Sequence, residues 1–115
     1  MFTTNNGINK KERYLLTVSK KGHAMSELIG KTVTVAAWAY GDKTNADGEL
    51  TLKTGIIVDG EAYITNSRSF TERFLDVIGY LEAENESDVN FKLEVIQGTT
   101  KNNRHYTTCE YIPED

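Results

Sequence analysis

Apolar and polar positions alternate along most of this chain, and in one stretch they change period. Residues 31–40 are the clearest run. Val33, Val35, Ala37 and Ala39 fall on one side of an extended strand, with Thr32, Thr34, Ala36, Trp38 and Tyr40 on the other. Tyr14-Leu15-Leu16-Thr17-Val18 reads as an earlier strand, and residues 49–58, rich in Thr, Leu and Ile, as a later one. Residues 41–48 read as a polar loop between them. Asp59-Gly60 predicts a two-residue hairpin turn, because such turns need positive φ, which Gly tolerates and Asp accepts. Glu61 to Thr65 is the returning strand.

The period changes over residues 67–81, where Phe70, Phe74, Val77, Ile78 and Leu81 recur at helical spacing. Ser69-Phe70-Thr71-Glu72 matches a capping box, Glu72 then lies in the first turn, and Ser67 also suits a cap. Residues 82–90 form an acidic connector. Alternation then resumes, with Phe91, Leu93 and Val95 opposite Lys92, Glu94 and Ile96. A loop over 98–103 leads to a last strand, 104–112, with Tyr106, Thr108, Glu110 and Ile112 opposite His105, Thr107, Cys109 and Tyr111. The pattern predicts a mostly β protein with one helix. Five short strands with the helix between the third and fourth is the order of an OB-like barrel. A small α+β sandwich is the alternative. Residues 1–13 show no periodic apolar pattern and read as a polar, flexible N-terminal arm, leaving 14–115 as a single OB-like domain.

Length agrees with that division, since 115 residues fit one domain with a sizeable core. Cys109 has no second cysteine to pair with, so no internal disulfide exists. The longest apolar run is five residues (35–39), far below the ~20 that span a bilayer. With no signal-peptide pattern at the N-terminus, a soluble cytoplasmic protein without a membrane partner is expected.

Charge changes the picture more. The chain has 13 Lys and Arg against 17 Asp and Glu, a net charge of −4. Residues 1–31 carry six basic and two acidic side chains, whereas residues 72–94 carry seven acidic and two basic. Lys101 and Arg104 return positive charge near the end. The acidic total therefore conceals two basic segments, and binding follows the local field.

Catalytic and metal chemistry find little support. His105 and Cys109 are four residues apart on a strand, roughly 13 Å, too far to share an ion. A lone mid-strand cysteine suits a buried small hydrophobe better than a nucleophile. Glu82, Glu84, Glu86 and Asp88 lack the glycine and ligand spacing of a calcium loop. No phosphate-binding loop or dinucleotide fingerprint is present. Neither an enzyme nor a metal or other cofactor is expected.

Rings and cations on strands and turns remain. Trp38, Tyr40, Lys53, Tyr63, Lys101, Arg104 and Tyr106 combine cations for phosphates with flat rings for bases, as single-stranded nucleic acid requires. For Trp38 a core position and a stacking surface are both open. The cations also suit ordinary strand edges.

Two segments resemble a known family. One is Asp59-Gly60-Glu61-Ala62-Tyr63-Ile64-Thr65-Asn66-Ser67-Arg68-Ser69-Phe70, entering a helix. The other runs from Phe91 through Gly98-Thr99-Thr100-Lys101-Asn102-Asn103-Arg104-His105-Tyr106 to Cys109. Together they resemble the small single-stranded-DNA-binding proteins of phages and mobile elements of Gram-positive bacteria. There a Tyr-x-Thr-x-Ser-x-x-Phe stretch enters a helix, and a late hairpin reads roughly Gly-x-Ser-Lys-x-Gly-Arg-x-Tyr. Here Thr100 replaces the Ser and Asn103 the Gly, while Lys101, Arg104 and Tyr106 are kept. The resemblance implies an OB-like protein that coats single-stranded DNA in replication or recombination, without catalysis. It carries over Lys101, Arg104 and Tyr106, and also Tyr63, Asn66 and Arg68. A single OB domain of this kind often needs neighbours for affinity, so self-association or cooperative coating is expected. The final Ile112-Pro113-Glu114-Asp115 resembles the acidic tips by which bacterial single-strand binders recruit partners, which implies contact with a host replication protein. A second reading is a small acidic phage-type protein that binds and inhibits a host protein, using the acidic face of residues 72–88 as a DNA mimic.

Overall fold

A computed structural model describes residues 2–44, 46–48, 50–87 and 90–113. Asp88 of the connector and the acidic end Glu114-Asp115 lie outside the described residues. Among the described residues are eight strands and two α-helices, with α2 between the sixth and seventh strands. The protein is mostly β, as the alternation predicts, but its strands form two sheets and not one closed five-stranded barrel.

The N-terminal segment differs most from expectation. Phe2–Thr4 is a strand (β1), and Lys10–Thr17 is a helix (α1) where an arm and a strand were expected. Asn9 explains the helix. Its side-chain oxygen accepts from the Glu12 N–H at 2.7 Å, and Glu12 accepts from the Asn9 N–H at 3.1 Å. This reciprocal capping box satisfies two otherwise orphan donors. Leu16 is the fully buried side chain of the helix.

His23–Ala24 (β2) and a short 3-10 turn at Met25–Leu28 lead into β3, Thr32–Val35. The chain then breaks step at Ala36 and resumes as β4, Ala37–Thr44. β3 pairs with the late strand β7 (Phe91–Thr99), whereas β4 pairs with β5 (Leu50–Val58). The Ala36 N–H donates to the Ile57 carbonyl at 2.9 Å across that junction. One extra residue reverses which side chains face inward. Val33 and Val35 face the main core before the break, Trp38 does so after it, and Ala37 and Ala39 face the opposite layer. The single-face alternation predicted for 31–40 is therefore corrected at Ala36.

β5 turns at Asp59 (φ 53°) and Gly60 (φ 79°) into β6, Glu61–Thr65, as predicted. Helix α2, Arg68–Ala83, follows. Its cap is Ser67, whose Oγ accepts from the Phe70 N–H at 3.2 Å, so the cap lies two residues before Ser69 and the first turn holds no acidic residue. β7 and β8 (His105–Ile112) close the chain as a hairpin.

The first sheet runs β1-β4-β5-β6-β2 and the second β3-β7-β8. The main core lies between them and α2. It contains Phe70, Phe74, Ile78 and Leu81 of α2 with Trp38, Ile56, Leu93, Val95 and Cys109. The buried hydroxyls of Thr54 and Thr71 bond to each other at 2.6 Å and tie α2 to β5. A second, smaller core lies on the outer face of the first sheet. There Leu16 of α1 packs with Ala37, Ala39, Ile57 and Ala62. Small side chains on this face let the helix approach closely. A Cβ on Gly55 would lie 2.9 Å from Leu16 Cδ2 and 2.7 Å from Ile64 Cδ1.

Candidate nucleic-acid interface

The β7–β8 hairpin presents Lys101, Arg104 and Tyr106 to solvent. Its turn is built by Thr100. The Thr100 N–H donates to the Arg104 carbonyl at 2.9 Å, and the Thr100 hydroxyl accepts from the Arg104 N–H at 3.2 Å. Asn103 takes φ 60°, a conformation Asn tolerates better than most residues. Thr100 thus supplies the hydroxyl that closes the turn, and Asn103 its left-handed position. Tyr106, 37% exposed, lies opposite Gly98. Its ring fills the space beside Gly98, where a Cβ would come within 2.2 Å of Cζ.

Ser67 ties this hairpin to the start of α2. While accepting from Phe70, its hydroxyl donates to the Thr107 carbonyl at 3.1 Å. Exposed Asn66 and Arg68, the neighbours of Ser67, are thereby held beside the strand that carries Tyr106, just after the turn residue Arg104. The positive end of the α2 dipole points the same way.

Lys53 adjoins the group from the other side. It lies on β5 one step beyond the Thr54–Thr65 pair, which brings it level with Asn66. Thr54, Ile56 and Val58 face the main core, so Lys53 points to the outer face, where its Nζ donates to the Thr17 carbonyl of α1 at 3.5 Å. Lys53 is thus level with Asn66 on the first sheet, and Asn66 and Arg68 flank the Ser67 that bonds to Thr107, next to Tyr106.

The three remaining candidates do not join them. Trp38 is 3% exposed, its indole N–H donates to the Ser87 carbonyl at 3.1 Å, and Phe74 packs edge-on against it. It offers no face to a base, because the break at Ala36 turns it inward. Tyr40 is half-buried, stacked on Trp38 with centroids 5.7 Å apart. Tyr63 is half-buried against the main core, and His23 stacks on its ring at 5.2 Å.

Cys109 is buried, and that burial pushes its thiol up to about 12. Glu110 adds to the shift and Arg73 opposes it. Such a thiol is protonated at neutral pH and a poor nucleophile. Among the described residues no group of three or more His, Cys, Asp or Glu is placed to hold a metal ion. Among them also, no helix is long and apolar enough to cross a membrane.

Sequence reasoning missed the basic surface of α1. Lys10, Lys11 and Arg13 are exposed on a helix, not strung along an arm, and Tyr14 is exposed beside them. The available signal was Asn9-x-x-Glu12, a capping pattern opening that segment. No protein-family model, curated protein or solved structure matches this chain.

Proposed function

We propose that this protein binds single-stranded DNA without strong sequence preference, in the replication or recombination of a phage or mobile element. The observation that carries the reading is the Ser67–Thr107 hydrogen bond, which holds the segment bearing Asn66 and Arg68 against the strand bearing Tyr106, whose hairpin turn carries Lys101 and Arg104. The cations neutralise phosphates and Tyr106 supplies a ring for a base. The strand path supports an open form of the OB-like barrel. β6-β5-β4 continues through Ala36 into β3-β7-β8, with α2 between β6 and β7. Binding is without catalysis and without a cofactor.

The test is titration of a labelled oligo-dT strand and of a duplex of equal length at low salt, read by anisotropy. The single strand is expected to bind, with little duplex binding. Equal affinity for both, or none for the single strand, overturns the reading. Emission of Trp38 is expected to change little on binding, because its indole is buried in the core.

One observation favours a second reading, a docking surface for a host protein. Tyr80 is 55% exposed in a shallow groove of about 300 Å³ between α2 and β8, beside Asp76, Glu110 and Tyr111. Arg73, also in the groove, holds Glu110 in a bidentate ion pair, which leaves the carboxylate of Asp76 to disfavour phosphate. Capture of a host protein that survives nuclease treatment, together with absent DNA binding, selects this reading.

A further inference from the structure

Helix α1 carries a surface that the hairpin does not explain. Lys10, Tyr14 and Val18 recur every four residues and form one exposed ridge, with Lys11 beside it. At 1.5 Å per residue the ridge is roughly 12 Å long. Tyr14 is 55% exposed and Val18 61%, although the buried face of the same helix is well filled by Leu16. Lys20 and Lys21 follow directly, and with Tyr14, Leu15, Val18 and Ser19 they line a shallow depression of about 430 Å³. Among the described residues no ion pair engages Lys10, Lys11, Arg13, Lys20 or Lys21. Glu12, the acid of this helix, is held in its capping box.

This surface continues the candidate interface. Lys53 is level with Asn66 at one end, and its Nζ meets the Thr17 carbonyl at the C-terminal end of α1. The first sheet points the same way. In OB-like proteins the strand 2–3 face binds oligonucleotides. Here the corresponding outer face of β5 and β6 is occupied by α1.

We infer that α1 replaces that sheet face as the second half of the nucleic-acid path. Lys10, Lys11, Lys20 and Lys21 neutralise phosphates there, and Tyr14 stacks a base of the strand that leaves the hairpin past Lys53. The inference rests on the single-strand reading above and adds a site to it. Its ligand is the same strand, so strands long enough to reach α1 bind more tightly than short ones.

Oligo-dT of two lengths tests it. A strand of about 5 nucleotides engages the hairpin alone, and one of about 16 reaches α1, within the span known for one OB fold. One variant combines Lys10→Ala, Lys11→Ala, Lys20→Ala and Lys21→Ala. The others are Tyr14→Ala and Tyr14→Phe. All positions are exposed, and circular dichroism confirms folding. For the long strand the lysine variant is expected to bind at least tenfold more weakly. Its slope of log affinity against log salt should fall by about 0.7 for each phosphate no longer neutralised. Tyr14→Ala should lose roughly 5-fold or more, with Tyr14→Phe near wild type, because the ring does the stacking. Short-strand affinity should be unchanged. If the long strand binds the variants as it binds wild type, or both lengths weaken equally, the α1 site is overturned while the hairpin reading stands. If wild type binds neither length, both fall together.

Discussion

Gly98 is small because Tyr106 occupies the space its side chain would fill. The ring is at the free end of an exposed side chain, so a methyl at position 98 displaces it instead of deforming the strand. Gly98→Ala is therefore expected to change stability by no more than about 1 kcal/mol, as a melting curve will show. It should nevertheless weaken oligo-dT binding as much as Tyr106→Ala, roughly 5-fold or more. Wild-type affinity in Gly98→Ala would mean that the ring's position serves no base. Cys109 makes a different prediction. Its thiol titrates near 9.0 ordinarily and at about 12 when buried. The folded state holds the proton longer, so the stability it contributes is complete below pH 9 and lost as pH rises towards 12. Urea denaturation at pH 8 and pH 11 should show a larger alkaline loss in the wild type than in Cys109→Ala. The fate of Trp38 was not legible at this scale. Alternation assigns a face only while the register is unbroken, and nothing about Ala36 as a residue type announces the break.

At the level of elements, α1 shows what a polar segment can conceal. Its apolar contribution is concentrated in Leu16, with Leu15 and Ile8 at the margin, too sparse to stand out as a periodic stripe. The local signal was the cap. Leu16→Ala is expected to cost about 2–5 kcal/mol, because the side chain is wholly buried against Ala39, Ile57 and Ala62. Asn9→Ala should cost about 1 kcal/mol by removing the cap. Denaturant titration checks both, and changes within about 0.5 kcal/mol would instead mark α1 as peripheral. Elements with a complete local signature were legible. The Asp59-Gly60 hairpin, the core stripe of α2 and the alternation of β7 all appear where the pattern puts them. The α2 cap shifted by two residues because Ser67 also bonds to Thr107, a partner it meets only in the folded molecule.

Over the whole molecule, the net charge of −4 says little about binding, because residues 1–31 carry six basic and two acidic side chains while residues 72–94 carry seven acidic and two basic. Acids gather on α2 and the residues after it. Exposed cations are carried on α1, at the α2 start and on the hairpin turn. The hairpin and the α2 start were legible as motifs, whereas the helix that carries Lys10, Lys11 and Arg13 was not. The most direct test of the interface is the salt dependence of oligo-dT binding in wild type and in Lys101→Ala with Arg104→Ala. If both cations hold phosphates, the variant binds more weakly and its slope of log affinity against log salt falls by about 1.4, two phosphates at about 0.7 each. Equal slopes and equal affinities would contradict a nucleic-acid interface at this hairpin.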